Sequence, residues 1–442
     1  MLNIGQPEGR AMRRFAMESL VRWKENARRK PLLIDGARQV GKSWLVDEFA
    51  ATHYENEAKV VFQNSEDAKA IFDGDLKPER LIRALEVLTG ETIRPQTTLI
   101  FLDEIQDCPR ALMSLKFFCE QAPQYHVAAA GSLLGVALHE DVSYPVGKVD
   151  HLDLYPMSFG EFLIANGKGG LWDLIVDADF DLITPLSGRL TELLRFYCCV
   201  GGMPAAVQSF IDDEGLSEVR RIQEDILRDY DFDFSKHASA AVTEKIRLVW
   251  QSLPGQLARE NKKFMYGAVR PSARAREYET AIKWIVDAGL AYKVPRVSKP
   301  GLPLSGYEDR DAFKLYLLDV GLLGAMSKLP TKVLLEGDTL FTEFKGALTE
   351  QYVCQQLIAE CGMTPYYWSA ERSIAEVDFI VQVGKDVVPV EVKAAENLRS
   401  KSLAAFCKRY GVRDAVRLSL SPYRKEEWLV NIPLYAVGAL RD

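Results

Sequence analysis

The fold of this chain is decided by one stretch, which reads Gly36-Ala37-Arg38-Gln39-Val40-Gly41-Lys42-Ser43. It follows a short apolar run over residues 31–34 and precedes a helix-like stretch over residues 43–49. Strand, glycine loop and helix in this order form the context in which the pattern GxxxxGK[S/T] predicts a phosphate-binding loop. Backbone N–H groups in such a loop converge on phosphate oxygens, and the helix N-terminus adds favourable partial charge.

The residue types in the loop have distinct predicted tasks. Gly36 and Gly41 allow backbone angles and close approaches that a Cβ atom would block. Lys42 is expected to reach the β- and γ-phosphates, and the Ser43 hydroxyl is expected to hold Mg²⁺. The predicted nucleotide-contacting set is the whole loop together with Trp44, and the predicted cofactors are ATP and Mg²⁺.

A second part of the site is predicted by an apolar run that ends in two acids, Thr97-Thr98-Leu99-Ile100-Phe101-Leu102-Asp103-Glu104. Such a run is typical of a buried parallel strand, and ligands sit at the carboxyl ends of these strands in open α/β sheets. We therefore expect Asp103 to bind Mg²⁺ through water and Glu104 to polarise the attacking water. A strand that merely ends at two acids is the alternative.

Another buried strand is predicted over residues 125–130, and it ends at Gly131-Ser132. In P-loop ATPases the strand after the acidic pair often ends in a polar residue that senses the γ-phosphate. Ser132 is therefore a candidate for that catalytic role, and a plain turn residue is the alternative. With further strands expected at residues 58–62 and 148–154, the alternation of strands and helices predicts a parallel, doubly wound α/β sheet.

Composition limits the classes of protein to which this chain can belong. Its 442 residues predict two to four domains, and 48% hydrophobic with 26% charged residues is typical of soluble globular protein. The net charge of −7 excludes a wholly basic nucleic-acid coat, so any nucleic-acid contact must come from a local patch of Lys and Arg.

Cysteine usage and the absence of apolar segments favour a cytoplasmic protein. The seven cysteines are scattered without CxxC spacing, which predicts reduced thiols and no zinc site. Residues 1–14 contain no apolar signal-peptide region, and no stretch of about 18 uncharged apolar residues predicts a membrane span. Residues 1–30 predict an amphipathic helix that is either a solvated lead-in or a contact with the nucleotide base or a neighbouring subunit.

The pattern becomes helical from Ser158 onward, with a turn at Gly201-Gly202-Met203-Pro204, and it predicts a helical lid over residues 161–240. No arginine finger can be assigned within or around this lid. The candidates are Arg38, Arg110, Arg195, Arg220, Arg221 and Arg228.

Residues 241–330 predict a winged helix from the order helix, strand, loop, strand. The helices are expected at 243–253 and 273–288, the strands at 291–297 and 313–318, and a polar loop at 300–311. Its basic face would consist of Arg274, Arg276, Lys283, Arg296 and Lys299, which makes DNA a predicted partner. The alternatives are a solvated charged helix and a protein-docking module.

The last segment carries a possible second metal site. A helix over residues 344–360 holds Glu350, and two strands joined by a hairpin hold Asp378, Glu391 and Lys393. Carboxylates and a lysine in this order can hold a divalent metal and a metal-bound water for phosphodiester hydrolysis. The arrangement predicts a nuclease-type fold, which is either an active metal-dependent nuclease or a binding module.

Taken together, these motifs resemble the bacterial and archaeal P-loop ATPases of the AAA type with a restriction-endonuclease-like C-terminal domain. The resemblance is carried by GARQVGKS, LIFLDEIQDCP, AAGSLLG, LDLYPMSFGEFL, GGMPAAV, FKLYLLDVGLL, EVDFIV and PVEVK, in that order from Pro31 onward. It implies a five-stranded ATPase core, a winged-helix middle and a C-terminal domain similar to the PD-(D/E)xK fold of Holliday-junction resolvases. Such ATPases often assemble into rings, so a homo-oligomer is expected.

Two positions depart from the family pattern. Ala130 stands where related chains often have Thr before Gly-Ser, and Val377 replaces the Pro of the PD motif. The predicted domains are an N-terminal helix (1–30), an ATPase core (31–160), a helical lid (161–240), a winged helix (241–330) and a nuclease-like domain (335–442).

Three functional hypotheses follow. The first is an ATPase that binds, remodels or translocates on DNA, with branched or junction DNA as a candidate form. The second is an ATP-dependent regulatory switch that binds a protein partner. The third is an ATP-gated nuclease that uses metal at Asp378 and Glu391.

Overall fold

The computed structural model describes residues 12–132, 145–259, 262–331, 342–370, 375–394 and 400–441, without the side chains of residues 342–345. Its internal contacts separate two compact units. The N-terminal unit comprises Arg13–Tyr155 with Asp287–Gly289, and the C-terminal unit comprises most of the remainder, Pro156–Val286 and Leu290–Asp442. None of the helices in the described ranges combines the length and the apolar character that a membrane span requires.

The N-terminal unit is built on five parallel strands in the order β2-β3-β4-β1-β5. The strands are β1 (Leu32–Asp35), β2 (Asn56–Val61), β3 (Thr98–Asp103), β4 (His126–Gly131) and β5 (Asp150–Asp153). The helices are α1 (Ala16–Glu25), α2 (Lys42–His53), α3 (Glu66–Asp73), α4 (Pro78–Thr89) and α5 (Pro109–Gln121). The predicted α/β core with a parallel sheet is confirmed.

Local sequence signals set the limits of these helices. The Ser65 side chain accepts a hydrogen bond from the backbone N–H of Ala68 and so begins α3. Proline at position 78 opens α4, and Gly90 ends it in the left-handed conformation, with φ of 74°. Gly74 directly follows α3 and separates it from α4. Strands β3 and β4 are buried along their whole length, as their apolar sequences predict.

The C-terminal unit contains the remaining described helices. They are α6 (Phe159–Ala165), α7 (Gly169–Val176), α8 (Phe180–Ile183), α9 (Ser187–Val200), α10 (Pro204–Ile211), α11 (Leu216–His237), α12 (Ala240–Leu257), α13 (Tyr266–Val269), α14 (Ala275–Asp287), α15 (Val320–Met326), α16 (Thr342–Ala359) and α17 (Lys401–Tyr410). Short 3-10 segments in the two units cover Ile105–Asp107, Thr184–Leu186, Leu304–Tyr307 and Leu434–Leu440.

One eight-stranded mixed sheet runs through the C-terminal unit in the order β12-β13-β11-β10-β9-β8-β6-β7. The strands are β6 (Ala291–Val297), β7 (Glu308–Leu317), β8 (Tyr366–Ser369), β9 (Glu376–Val383), β10 (Asp386–Val392), β11 (Ala415–Ser419), β12 (Arg424–Lys425) and β13 (Leu429–Pro433). The antiparallel pair β6–β7 joins the other strands where Arg296 pairs with Tyr367. The predicted wing and the predicted nuclease-like strands therefore share one sheet, while the predicted domain boundaries stay predictions.

The predicted wing differs from the structure in one respect. Strand β7 begins at Glu308, inside the stretch that its polar sequence assigned to a loop. Its first residues are mostly exposed and its last six are buried, so only the second half carries an apolar pattern. Pairing with β6 extends the strand into the polar half.

A buried carboxylate, that of Asp319, connects separate segments of the C-terminal unit. It accepts hydrogen bonds from the backbone N–H of Gly202 at 2.6 Å and of Leu322 at 2.9 Å. A third donor is the Gln355 side-chain amide of α16, at 3.2 Å. The carboxylate therefore begins α15 and also holds the turn before α10 and one face of α16.

The two glycines of the Gly201-Gly202 turn are required by this close packing. A Cβ atom on Gly201, which has φ of +75°, would lie 2.2 Å from Asp319 Oδ1. One on Gly202 would lie 2.0 Å from the carbonyl oxygen of Met157, whose own N–H donates to the Gly202 carbonyl at 2.7 Å. No side chain can be accommodated at either position without moving these neighbours.

Helix α16 supplies further polar side chains to buried backbone groups. Gln356 accepts from the N–H of Phe159 at 2.8 Å, and Gln355 accepts from the N–H of Val320 at 3.0 Å. Buried backbone groups must be hydrogen-bonded, and apolar side chains at these positions of α16 would leave the two N–H groups without an acceptor. This explains why α16 carries glutamines there.

Replacing Asp319 by alanine tests this arrangement. Asp319→Ala leaves three buried donors without their acceptor, so we expect the free energy of unfolding to fall by about 3 kcal/mol or more. Urea denaturation measures it. The matched control is Asp179→Ala, because Asp179 begins α8 by the same kind of bond in an exposed setting, where the expected cost is about 1 kcal/mol. Equal costs for the two variants would contradict the assignment.

Candidate functional site

The glycine loop lies between the end of β1 and the start of α2, as predicted. Gly36 has φ of +155°, and a Cβ atom there would lie 2.2 Å from the carbonyl oxygen of Leu154. Gly41 has φ of 93° and stands directly before α2 in the left-handed conformation. Both glycines are therefore needed for the shape of the loop.

The other residues of the loop divide into buried and exposed positions. Ala37 and Val40 are buried, Gln39 takes the left-handed conformation with φ of 65°, and Trp44 is 39% exposed. The exposed indole of Trp44 stands in the first turn of α2, where a nucleotide could reach it. Contact between these residues and a nucleotide stays a prediction.

Lys42 is buried within the loop. Its ammonium group donates to the carbonyl oxygens of Gly36 and Ala37, each at 2.8 Å. Burial lowers the pKa of Lys42 to about 8, although nearby carboxylates, that of Glu104 foremost, oppose the shift. Phosphate oxygens of a nucleotide could replace these two carbonyl oxygens as acceptors from the Lys42 ammonium.

The Ser43 hydroxyl, at the start of α2, lies near enough to the Asp103 carboxylate, at the end of β3, to favour its charged form through hydrogen bonding. Asp103 also accepts from the backbone N–H of Glu104 at 3.0 Å, and the ammonium group of Lys59 lies 4.0 Å away. Burial raises the pKa of Asp103, and the bond from Ser43 acts in the opposite direction. A hydroxyl and a carboxylate side by side are the hard oxygen ligands that Mg²⁺ prefers, so these residues fit a magnesium–nucleotide site.

Glu104 is held in a strained conformation beside Asp103. Its φ of 52° places a residue with a Cβ in the left-handed region, which is uncommon for such residues. Its carboxylate accepts from the Gln106 side-chain amide at 2.5 Å and from the Ser132 hydroxyl at 3.3 Å. The structure thus brings the three predicted catalytic residues Lys42, Glu104 and Ser132 to one edge of the sheet; the role of Ser132 as a γ-phosphate sensor stays a prediction.

Gln106 and Lys59 are the residues of this site that the sequence did not single out. Gln106 follows Glu104 by two positions, and Lys59 lies on β2, the strand next to β3. A polar residue two positions after the acidic pair was the available signal for Gln106. Nothing in the sequence distinguishes Lys59 from a surface lysine. Of the motif AAGSLLG, the positions after Ser132 lie outside the described residues.

At least four of the candidate arginine fingers are engaged within the chain, including Arg220, which donates to the carbonyl oxygen of Leu329 at 3.2 Å. Arg110 donates to the carbonyl oxygens of Phe72 and Gly74, and Arg221 and Arg228 both pair with Asp225. These pairs are ordinary structural contacts, so they add no evidence for a catalytic arginine.

The residues of the predicted second metal site have partners within the chain. Asp378 accepts from the backbone N–H of Val392 at 2.8 Å, whereas Glu391 pairs with Lys393 at 2.8 Å. Glu350 instead pairs with Lys262 and lies 3.7 Å from Lys314. Within the described ranges no three groups of the type that bind metals converge, so the geometry does not support Glu350, Asp378 and Glu391 as one metal site.

The residues of the predicted basic face have different surroundings. Arg274, Arg276 and Lys283 are exposed on and before α14. Arg296 is held in an ion pair with Asp309, and the Lys299 ammonium lies 4.5 Å from the centre of the Tyr307 ring. The first three are therefore the cations of this face most accessible to a partner.

The loop, the Ser43–Asp103 pair and Glu104 together define a P-loop nucleotide site of the ATPase class. Residues 28–163 match a family model described as an AAA domain, and this part of the chain is an AAA-type P-loop ATPase domain. Two further segments match domains of unknown function, DUF8612 over residues 191–333 and DUF4143 over residues 345–436. No protein with a curated function matches the sequence.

Several solved structures are similar to the chain at low sequence identity. The Walker-type ATPase PABY2304 of Pyrococcus abyssi is 13% identical, with 73% of this chain and 98% of that chain covered and a TM-score of 0.43. The Orc1 protein of Aeropyrum pernix, solved in complex with DNA, is 14% identical over 75% and 95% of the two chains, with a TM-score of 0.27. Cdc6p from Pyrobaculum aerophilum is 11% identical over 76% and 97%, with a TM-score of 0.27. Similarities of this size assign no function to this chain.

The lowered pKa of Lys42 predicts a pH dependence of nucleotide binding. Phosphates bind the charged ammonium, so affinity should be constant below pH 8 and fall as the free protein loses that proton above it. Between about pH 7 and pH 9 the dissociation constant for ATP should rise about tenfold. Calorimetric titration in buffers of different ionisation enthalpy measures both the affinity and the proton uptake.

The control for this titration is Lys42→Arg, because a guanidinium stays charged across the whole range. Its affinity, whatever its absolute value, should not follow pH in the same way. A wild-type dissociation constant that is the same at both pH values, without proton uptake, would contradict the prediction.

The contact between Gln106 and Glu104 predicts an effect on turnover. Gln106→Ala removes the nearer of the two side-chain donors to the carboxylate, so we expect kcat for ATP hydrolysis to fall about ten- to a hundredfold with little change in KM. Steady-state ATPase assays measure it. Gln121→Ala, an exposed glutamine at the end of α5, is the matched control and should behave as wild type. A Gln106→Ala enzyme with unchanged kcat would exclude a positioning role.

Proposed function

We propose that this chain is an ATP-hydrolysing enzyme that acts on DNA. Hydrolysis is supported by one observation above all: Glu104 lies next to the Ser43–Asp103 pair, with its carboxylate held by Gln106 and Ser132. In this proposal Lys42 exchanges its carbonyl partners for β- and γ-phosphate oxygens. Ser43 and Asp103 would hold Mg²⁺, which supplies positive charge to the phosphates when bound.

Glu104 would orient the attacking water and accept its proton. The carboxylate already accepts hydrogen bonds from two side chains, so it must keep or exchange these bonds when the water binds. The strained backbone at Glu104 supports this role, since conformations of this kind persist where the surrounding structure fixes them. Hydrolysis would then be followed by rearrangement of the loop around Lys42.

Action on DNA is supported by the order of elements and by charge. Helices α12, α13 and α14 are followed by the hairpin β6–β7, which is the order of a winged helix. Around the start of α14, Arg270, Arg274 and Arg276 are exposed within seven residues of one another. Clustered arginines of this kind suit phosphate contacts. Branched or junction DNA remains the candidate form, and a homo-oligomer in which a neighbour supplies an arginine is part of the proposal.

A nucleotide-dependent switch that binds a protein partner is the second candidate. It is favoured by the acids Glu277 and Glu279, which are exposed among the same cations. It is favoured also by Arg296 and Lys299, which have partners within the chain. A surface of mixed charge suits a protein better than a polyanion.

ATPase rates with a panel of duplex, single-stranded and junction DNA test the proposal. We expect one DNA form to stimulate turnover, and we expect Glu104→Gln to bind ATP but to lose hydrolysis about a hundredfold or more. The double variant Arg274→Ala/Arg276→Ala should lose stimulation and keep the basal rate. Lys385→Ala/Lys408→Ala, which removes two exposed cations elsewhere in the same unit, is the matched control.

The outcomes separate the candidates. Turnover that is the same with every DNA form, in an enzyme that hydrolyses ATP, would overturn the action on DNA and favour the protein-binding switch. A wild-type chain that binds ATP but does not hydrolyse it under any condition would overturn the enzymatic part.

A further inference from the structure

Four charged side chains from four separate segments of the C-terminal unit meet in its interior. They are Lys262, which precedes α13, Lys314 on β7, Glu350 on α16 and Glu376 on β9. We call them the ion-pair cluster. Lys262 and Glu350 are a direct pair, Lys314 lies 2.5 Å from Glu376 and 3.7 Å from Glu350, and the Tyr316 hydroxyl donates to Glu350 at 3.1 Å.

Three of the four side chains are removed from water, whereas the Glu376 side chain is 20% exposed. Lys314 has no exposed surface at all, and Lys262 and Glu350 are only 8% and 7% exposed. A buried charge is tolerated only when an opposite charge and hydrogen bonds satisfy it. Two lysines and two glutamates balance one another, and Asp378, within electrostatic reach of both lysines, adds a further buried carboxyl.

The cluster includes Glu350, one of the residues to which the nuclease motif assigns a metal. Asp378, another of them, is close by: burial raises its pKa, and the charge of Glu350 raises it further. A divalent cation there would face two ammonium groups across the same carboxylate, and the repulsion would act at low dielectric. The donor set of the described residues therefore does not fit a metal. Oε2 of Glu391 is buried with no hydrogen-bond donor among the described residues, and a single oxygen holds no metal ion.

We propose that Lys262 and Lys314 stand in place of a metal, and that the C-terminal unit is a non-cleaving module whose former metal ligands bind its segments together. The lysines come from the predicted winged-helix region, and the carboxylates come from the nuclease-like region. The pairs thereby fix the β6–β7 hairpin to α16 and β9. The β6–β7 hairpin, fixed in this way, and the nuclease-like strands would move together as one rigid body. This inference goes beyond the proposed ATPase, because it holds whether or not ATP is hydrolysed.

The first measurement is thermal unfolding of the nucleotide-free full chain with and without millimolar Mn²⁺. Asp103→Asn serves as the background, because it removes a ligand of the magnesium–nucleotide site. In that background we expect any shift caused by Mn²⁺ to be the same with and without Glu350→Gln, Asp378→Asn or Glu391→Gln. Incubation of the wild-type chain with DNA and Mn²⁺ should produce no nicks.

The second measurement is a double-mutant cycle on the pair of Lys262 and Glu350. Each single change, Lys262→Met or Glu350→Gln, should lower the melting temperature by several degrees, because it leaves the other charge buried and unpaired. The double variant should lose less than the sum of the two. Lys385→Met, at an exposed lysine in the turn between β9 and β10, should have no effect. Both cycle variants keep Lys314, so the fold retains its most buried pair.

Two results would overturn the proposal. One is a rise in melting temperature with Mn²⁺ that disappears in Asp378→Asn, which would restore the metal site. The other is a cycle in which the losses of melting temperature caused by Lys262→Met and Glu350→Gln are additive or absent. That result would show that the pair does not stabilise the contact between its segments. Neither result depends on ATPase activity, so failure here is distinguishable from failure of the proposed function.

Discussion

A charged group that leaves water must be given partners, and this constraint organises both units of the protein. In the N-terminal unit the Lys42 ammonium is buried against two carbonyl oxygens of its own loop. In the C-terminal unit the Asp319 carboxylate gathers donors from three segments. Lys314, with no exposed surface, has Glu376 and Glu350. Since an unpaired buried charge would cost several kcal/mol, each of these groups fixes the segments around it.

The two sites differ in whether a ligand can replace the partners of their buried lysines. The carbonyl partners of Lys42 are neutral, so an incoming phosphate competes with weak acceptors and gains a full charge–charge interaction. The partners of Lys262 and Lys314 are carboxylates, so an incoming cation would compete with charges that are already in place. The first arrangement is open to a ligand, and the second is closed to one. This difference supports nucleotide chemistry in one unit and a structural role for the carboxylates of the other.

The motifs that resemble the family acquire separate physical meanings in the structure. GARQVGKS and the acids at the end of β3 build the proposed nucleotide site. Three other motif stretches meet around Asp319: GGMP, the start of PMSFGEF and the Asp-Val-Gly run at 319–321. There is no room there for a Cβ atom on Gly201 or Gly202. Those three stretches are therefore explained by packing and hydrogen bonding within the C-terminal unit, with no ligand required.

The sequence by itself determined the parallel core, because buried strands carry continuous apolar runs and each ends at its own signal, Gly36 after β1 and Asp103 at the end of β3. It also singled out Lys42, Ser43, Asp103 and Glu104, whose predicted tasks follow from local spacing. Only the tertiary structure decided what surrounds them. Gln106 turns back onto Glu104, and Lys262, 88 positions before Glu350, reaches that carboxylate. Contacts over such separations depend on how the segments pack, which the spacing of residues along the chain does not specify. The sequence pattern of a metal motif is therefore the same whether a metal ion or an ammonium group lies beside its carboxylate.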